Sequence, residues 1–233
     1  MKIATIIVAG GSGVRMGADI PKQFLPLCSK PILMHTIQAF YDALGSDASI
    51  TVVLPSSHIT LWNTLVEKHN FTVPHTLVCG GETRFHSVKA ALDVIHGDVD
   101  VVLVHDGVRP LIKKSVIDRV INGVKQFGAV IPVIPISESI RIKDGNSTKA
   151  QDRELFVAVQ TPQAFDYNLI KRAYDQKWQS CFTDDASLIE ALGEEIYTVK
   201  GDVDNIKITT SIDLFAATKW LEESCEKQRN KNN

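Results

Sequence analysis

The sequence predicts a doubly wound α/β fold: a mostly parallel sheet with helices on both faces and one projecting β-arm. Two observations carry that prediction. Short β-branched runs recur along the chain, and segments with helical spacing separate them. The runs are "KIATIIVA" (2–9), "SITVVLP" (49–55), "HTLVCG" (75–80), "DVVLVHD" (100–106) and "GAVIPVIP" (128–135). Their apolar residues are continuous rather than alternating, as in strands covered on both faces. The intervening "PILMHTIQAFYDALG", "SSHITLWNTLVEKHN", "TRFHSVKAALDVIHG" and "KSVIDRVINGVKQFG" place apolar residues three and four apart. Three of these segments end at Gly and one at Asn, which suits helix C-termini. Strand and helix in alternation imply right-handed βαβ units, and sheets of this kind bind ligands beyond the C-terminal ends of their strands.

The element after the fifth run breaks the rhythm. "SESIRIKDGNSTKAQDREL" (137–155) alternates around a "KDGN" turn signal and has little to bury, so it reads as an arm over about 136–157. The final "ESCEKQRNKNN" is polar and reads as frayed. No repeat or Pro/Ser-rich linker divides the chain, so a single domain over residues 1–233 is expected.

Composition narrows the partners. Lys and Arg number 25 against 27 Asp and Glu, a net charge of -2, so no global field draws in nucleic acid or an anionic membrane. An anionic ligand must be held by local cations. No run approaches the roughly 20 apolar residues of a membrane span, and the N-terminus enters a strand without the regions of a signal peptide. A cytoplasmic protein is expected. The four cysteines form no CxxC pair, which argues against zinc and a disulfide framework and for reduced, packing thiols.

Directly behind the first strand stands "VAGGSGVRMG" (8–17), a bare backbone with a cation inside it. Such loops bring backbone N–H groups to phosphate oxygens. The dinucleotide fingerprint fails, because Gly11 and Gly13 are followed next by Gly17 and the second strand ends "VVLPSS" without an acidic residue. A P-loop fails because no Lys-Ser or Lys-Thr follows Gly17. What remains is a loop with Arg15 inside it and Lys22 just after, in "PKQFLPL". Two cations beside a glycine loop suit a triphosphate whose charge builds up during reaction. Asp106 ends the "VVLVHD" run, where an open α/β sheet presents its ligand-facing residues. A carboxylate facing a triphosphate makes sense chiefly as a Mg²⁺ ligand, although the position would also suit a turn or helix cap. His105, one residue earlier, should point to the opposite face and pack.

"AGGSGVRMG" with "PKQFLPL" resembles the N-terminal signature of sugar and polyol phosphate nucleotidyltransferases. "GGETRFHSV" (80–88), "VHDGVRP" (104–110), "VQTPQAF" (159–165), "TDDASLIE" (183–190) and "DNIKITT" (204–210) resemble blocks of one branch, the 2-C-methyl-D-erythritol 4-phosphate cytidylyltransferases of isoprenoid synthesis. The blocks are in order over residues 4–215. The resemblance implies a Rossmann-like nucleotidyltransferase fold and a Mg²⁺-dependent transfer from CTP. It implies catalytic roles for Arg15, Lys22 and Lys207, the last as a third cation on the α-phosphate. CTP would be bound by Ala9, Gly10, Gly11, Gly13 and Asp106, with Gly81, Glu82 and Ser87 around the base and ribose. Metal would be held by Asp106 and Asp204. The polyol phosphate would meet Arg109 and Thr161, and also Ser139 and Arg153 of an arm exchanged across a homodimer. Here "ISESIRI" has Ser139 and Glu138 where the family more often shows Thr and Asp. Arg84 and His86 read as solvent-facing helix residues.

The attacking group would be a phosphate monoester oxygen, whose second pKa of about 6 leaves it mostly dianionic at neutral pH, so no general base is required. Ribitol 5-phosphate cytidylyltransferases share "PKQFLPL", "QTPQ" and "NIKITT" and are the nearest alternative. The "DREL" before "QTPQ" favours the methylerythritol branch. A noncatalytic nucleotide sensor on the same fold would have lost the cations, and Arg15, Lys22 and Lys207 are all present. A dehydrogenase is disfavoured by the glycine spacing.

Overall fold

The computed structural model describes residues 1–11, 20–46 and 49–231, the last seven of these by backbone alone. Its strands are β1 (Ile3–Val8), β2 (Pro26–Leu27), β3 (Lys30–Pro31), β4 (Ser49–Leu54), β5 (Thr76–Cys79), β6 (Val101–Asp106), β7 (Ala129–Pro135), β8 (Arg141–Asp144), β9 (Ser147–Ala150), β10 (Val157–Val159), β11 (Gln163–Asp166) and β12 (Tyr197–Lys200). Its helices are α1 (Ile32–Leu44), α2 (Ser56–Lys68), α3 (Arg84–Val94), α4 (Lys114–Phe127), α5 (Tyr167–Tyr174), α6 (Asp185–Glu190) and α7 (Ser211–Lys231).

The main sheet has eight strands, and β1 lies inside it, parallel to β4 on one side and β6 on the other. The β4–β5 and β7–β12 pairs are also parallel. Side chains of β1 and β6 divide by parity, as the pleat requires. Ile7 and Leu103 join one core layer with Phe40 of α1, Trp62 of α2 and Val120 of α4. Ile6, Val102 and Val104 join the other, with Val88 of α3, Ile170 of α5 and Leu188 of α6. Truncating a fully buried aromatic such as Phe40 to Ala would cost about 3–5 kcal/mol. The doubly wound reading therefore holds, with helices on both faces.

The helix ends agree in kind with the sequence signals. Gly45 and Gly128 follow α1 and α4 with φ of 79° and 77°, and Asn70 just beyond α2 has φ 48°. Helix α3 stops earlier, at Val94, and Gly97 with φ 92° lies in the following turn. The arm is a β8–β9 hairpin turning at Gly145, and all eight of its strand residues are exposed.

Four features depart from the sequence reading. Antiparallel β11 inserts between β6 and β7, after a cis Thr161–Pro162 bond. The edge strand β10 pairs antiparallel with β7, and β12 adds on the other side of β7. The tail read as frayed continues α7 to Lys231. Three of the four thiols expected to pack are exposed instead: Cys28, Cys79 and Cys181, none of them in a disulfide. Among the described residues no helix is long and apolar enough to cross a membrane.

Candidate active site

The C-terminal ends of β1, β4, β5 and β6 open onto one cavity of about 390 Å³. Four adjacent parallel strands end on this side, so their following loops converge there. Ala9, Gly10 and Gly11 come from the loop after β1, Gly81 and Glu82 from the turn after β5, Ser87 from α3, and Asp106 from the end of β6. Lys22 and Lys207 close the wall from outside the sheet. Gly13 and Arg15 lie outside the described residues.

Two glycines lie close against neighbouring side chains. A Cβ at position 11 would lie 3.1 Å from Lys22 Cε, so the lysine stem crosses directly over the backbone. A Cβ at position 81 would overlap Cβ of His86. The turn that Gly81 permits is fixed by Ser87, whose hydroxyl donates to the Thr83 carbonyl at 2.9 Å and accepts from the Gly81 N–H at 3.2 Å. Ser87 is buried.

Asp106 is the electrostatic centre. Arg109 Nε donates to its carboxylate at 3.0 Å, and Lys207 Nζ lies 3.1 Å away. Burial alone would push this carboxyl up, but Lys207, Arg109 and Arg84 outweigh it and hold the group well below the usual carboxylate range. The two partners differ in freedom. Arg109 is nearly enclosed and also donates to the Asn205 carbonyl at 2.7 Å, whereas the Lys207 side chain is 46% exposed. Lys207 can exchange Asp106 for a ligand anion; Arg109 is fixed beneath.

The remaining candidates lie off the cavity wall. Asp204 binds Lys113 at 2.6 Å, and Lys113 also holds Asp202 at 2.9 Å, so the structure does not bring Asp204 beside Asp106 on the wall. Arg109 stands behind Asp106 rather than on the wall. Thr161 is buried, and its hydroxyl accepts the Asp106 N–H at 3.1 Å and meets His105 Nδ1 at 3.0 Å. Because His105 Nε2 faces the Arg109 carbonyl at 3.2 Å, that nitrogen carries the proton and Nδ1 accepts from Thr161. The Thr161 hydroxyl, expected beside the polyol phosphate, is thus directed into the protein. Ser139 and Arg153 are exposed on the arm segment, where Arg153 donates to the Ser137 carbonyl at 3.1 Å.

Two wall residues escaped sequence reasoning. Arg84, read as solvent-facing, makes a two-pronged bond of 2.7 and 2.6 Å to Asp185, a partner 101 positions away that no local pattern reveals. Gln23 has no exposure and donates to the Ala9 carbonyl at 2.8 Å, bracing the root of the glycine loop. Its place between Lys22 and the buried Phe24 was the only available signal. No cluster of three His, Cys, Asp or Glu able to cage a metal occurs among the described residues.

The chain is similar to known proteins. Residues 3–223 match the family described as IspD, 2-C-methyl-D-erythritol 4-phosphate cytidylyltransferase. A protein of that name from Bacteroides fragilis is 46% identical over 216 residues, covering 93% of this chain and 98% of its own. Another from Phocaeicola vulgatus is 48% identical over 212 residues, covering 91% and 96%. Among solved structures, the 4-diphosphocytidyl-2C-methyl-D-erythritol synthase of Anaerococcus prevotii superposes with a TM-score of 0.79 at 27% identity, covering 95% of this chain and 98% of that one. The Francisella tularensis 2-C-methyl-D-erythritol 4-phosphate cytidylyltransferase gives 0.75 at 31% identity, covering 94% and 99%. With the family matched across nearly its whole length, this chain belongs to the IspD family of 2-C-methyl-D-erythritol 4-phosphate cytidylyltransferases.

Proposed function

We propose that this chain transfers the cytidylyl group of CTP to 2-C-methyl-D-erythritol 4-phosphate, giving 4-diphosphocytidyl-2-C-methyl-D-erythritol and pyrophosphate for isoprenoid synthesis in the cytoplasm. One observation carries the reading: a single cavity gathers Ala9, Gly10 and Gly11 behind the first strand, Lys22, the Gly81–Glu82 turn, Asp106 and Lys207. A phosphate oxygen of the polyol forms the new bond to the α-phosphorus, the bond between that phosphorus and the bridging oxygen breaks, and pyrophosphate leaves. The nucleophile is already anionic, so the protein's task is to cancel repulsion between anions. Lys22, Lys207 and Arg15 supply the positive charge. Gly81, Glu82 and Ser87 hold the cytosine and ribose.

The donor set fits Mg²⁺. A metal of this kind is bound through one or two carboxylates plus substrate phosphates rather than by a protein cage, and Asp106 is an ionised carboxylate on the wall. Asp106 would hold the ion, which would supply neutralising charge at the phosphates. Arg109 underpins that carboxylate on the side of the polyol phosphate.

The arm supports a homodimer. Its segment leaves Ile142 55% and Leu155 80% exposed, with Phe156 and Val157 also exposed beside Leu155, apolar surface that a partner subunit would cover. In a dimer that exchanges arms, Ser139 and Arg153 reach the neighbour's polyol phosphate, and deletion of residues 141–150 should give a monomer in sedimentation.

Pyrophosphate release, measured with CTP and Mg²⁺, tests the whole reading. Release with 2-C-methyl-D-erythritol 4-phosphate is expected. Release only with D-ribitol 5-phosphate would move the chain to the cell-wall branch, and release with neither would overturn a catalytic role.

A further inference from the structure

We infer that Arg84 is a nucleotide-binding residue, a fixed donor of N–H groups to an acceptor oxygen on the cytidylyl half of CTP. The inference rests on the reading that this cavity holds CTP. Arg84 is the first residue of α3, directly after the Gly80–Thr83 turn, and its side chain lines the cavity. A guanidinium carries five N–H donors in a rigid fork. Two go to the carboxylate of Asp185, at 2.7 and 2.6 Å, and no acceptor among the described residues takes the other three. The side chain keeps 31% of its surface accessible while its partner Asp185 has none. The fork is therefore clamped on its inner edge and open on its outer edge.

The clamp is itself held. Asp185 accepts a further bond from Tyr174, whose ring is buried against Phe85. Burial works against the Arg84 charge, but Asp185 more than restores it and pushes the group further up from its ordinary value. A guanidinium so oriented loses little rotamer freedom when a ligand arrives. As a purely structural device the pair is a poor choice, because apolar side chains of similar volume commonly replace a buried ion pair without loss of stability. Arg84 follows directly on the turn that carries Gly81 and Glu82, lines the cavity together with these and Ser87, and its charge also reaches Asp106. That placement assigns it to the nucleoside and α-phosphate rather than to the leaving pyrophosphate.

The test separates fold from binding. Arg84→Met with Tyr174→Phe and Asp185→Leu replaces the whole cluster by apolar groups and is expected to keep the melting temperature near wild type. Titration calorimetry should then show affinity for CTP and for CMP falling together, by about tenfold, the equivalent of one lost charge-assisted hydrogen bond. Inorganic pyrophosphate should bind as before. Arg84→Lys provides a second route if the triple variant does not fold. It keeps the charge on Asp185 but not the outer donors, and a rise of several-fold in KM for CTP with unchanged thermal stability is expected. Unchanged CTP and CMP affinity in either folded variant, or a loss confined to pyrophosphate, would overturn the inference. Failure of the wild-type protein to bind CTP would instead refute the reading of the cavity.

Discussion

His105 and Asp106 are neighbours on β6, yet they face opposite sides of the sheet and settle in opposite charge states. His105 points into the α1 layer, edge-on to Phe40 with ring centroids 4.8 Å apart. Burial dominates there, lowering its pKa to about 4 against the pull of Asp106 and neighbouring carbonyls, so the ring is neutral. Asp106 points to the cavity, where cations defeat the same burial and keep it charged. The pleat alone sorts the two. A strand end in this fold can therefore offer a permanent anion to the ligand while packing a titratable ring behind it without a second charge.

The largest expected effect breaks the charged side. Asp106→Asn keeps the shape but removes the carboxylate, and turnover should fall by about 10³ or more, the scale lost when a preorganised electrostatic partner of the reacting phosphates is removed. Steady-state kinetics at saturating CTP and Mg²⁺ would show it. Activity within tenfold of wild type would mean that the charge of Asp106 is not used. Lys22→Ala follows, with a loss of about 10²–10³ in turnover. Unchanged turnover at saturating CTP would refute its assignment.

The neutral side is tested by pH. An unfolded histidine titrates near 6.5 and the buried ring near 4, so between these values the unfolded chain binds more protons. The stability that depends on neutral His105 is complete above pH 6.5 and is lost as pH falls towards 4, a difference of about 3 kcal/mol for a shift of this size. Chemical denaturation of wild type and His105→Phe at pH 7 and pH 4 should show the variant losing less over that interval. Asp106 has a separate window. Its folded pKa is depressed, so its contribution is complete above the ordinary carboxylate value and is lost progressively as pH falls from there towards the folded value. Equal pH slopes for wild type and His105→Phe would mean that the ring does not titrate as its burial requires.

How far the sequence carried this picture depended on whether a contact is local. The five strands marked by apolar runs, the four helices between them and the arm were legible because each lies in one continuous pattern of apolar spacing or turn residues. The wall residues Lys22, Asp106 and Lys207 were legible because they flank strand ends or recognisable blocks. Strand β11 was not, since four residues with only Ala164 and Phe165 as apolar content carry no usable period, and its place is set by β6 and β7. Arg84 was misread for a related reason. Facing solvent is the default for an arginine opening a helix, and only the tertiary fold brings Asp185 to it. Asp204 shows the reverse limit, because a carboxylate near a site in sequence can still be taken by another partner, here Lys113.

The smallest expected effect concerns the hydroxyl that joins the two faces. Thr161 accepts the Asp106 N–H and donates to His105 Nδ1, so its one proton has a fixed destination inside the protein. A phosphate offers only acceptors to a hydroxyl, and a hydroxyl whose proton is committed cannot bind it without breaking the link to His105. Thr161→Val should therefore leave the KM for the polyol phosphate within about twofold while lowering stability by about 1–3 kcal/mol, because the Asp106 N–H and His105 Nδ1 lose their partner. Thr161→Ser should restore most of that stability. A tenfold rise in KM for the polyol phosphate in Thr161→Val, with stability unchanged, would place the hydroxyl on the substrate and remove the physical link between the two faces of β6.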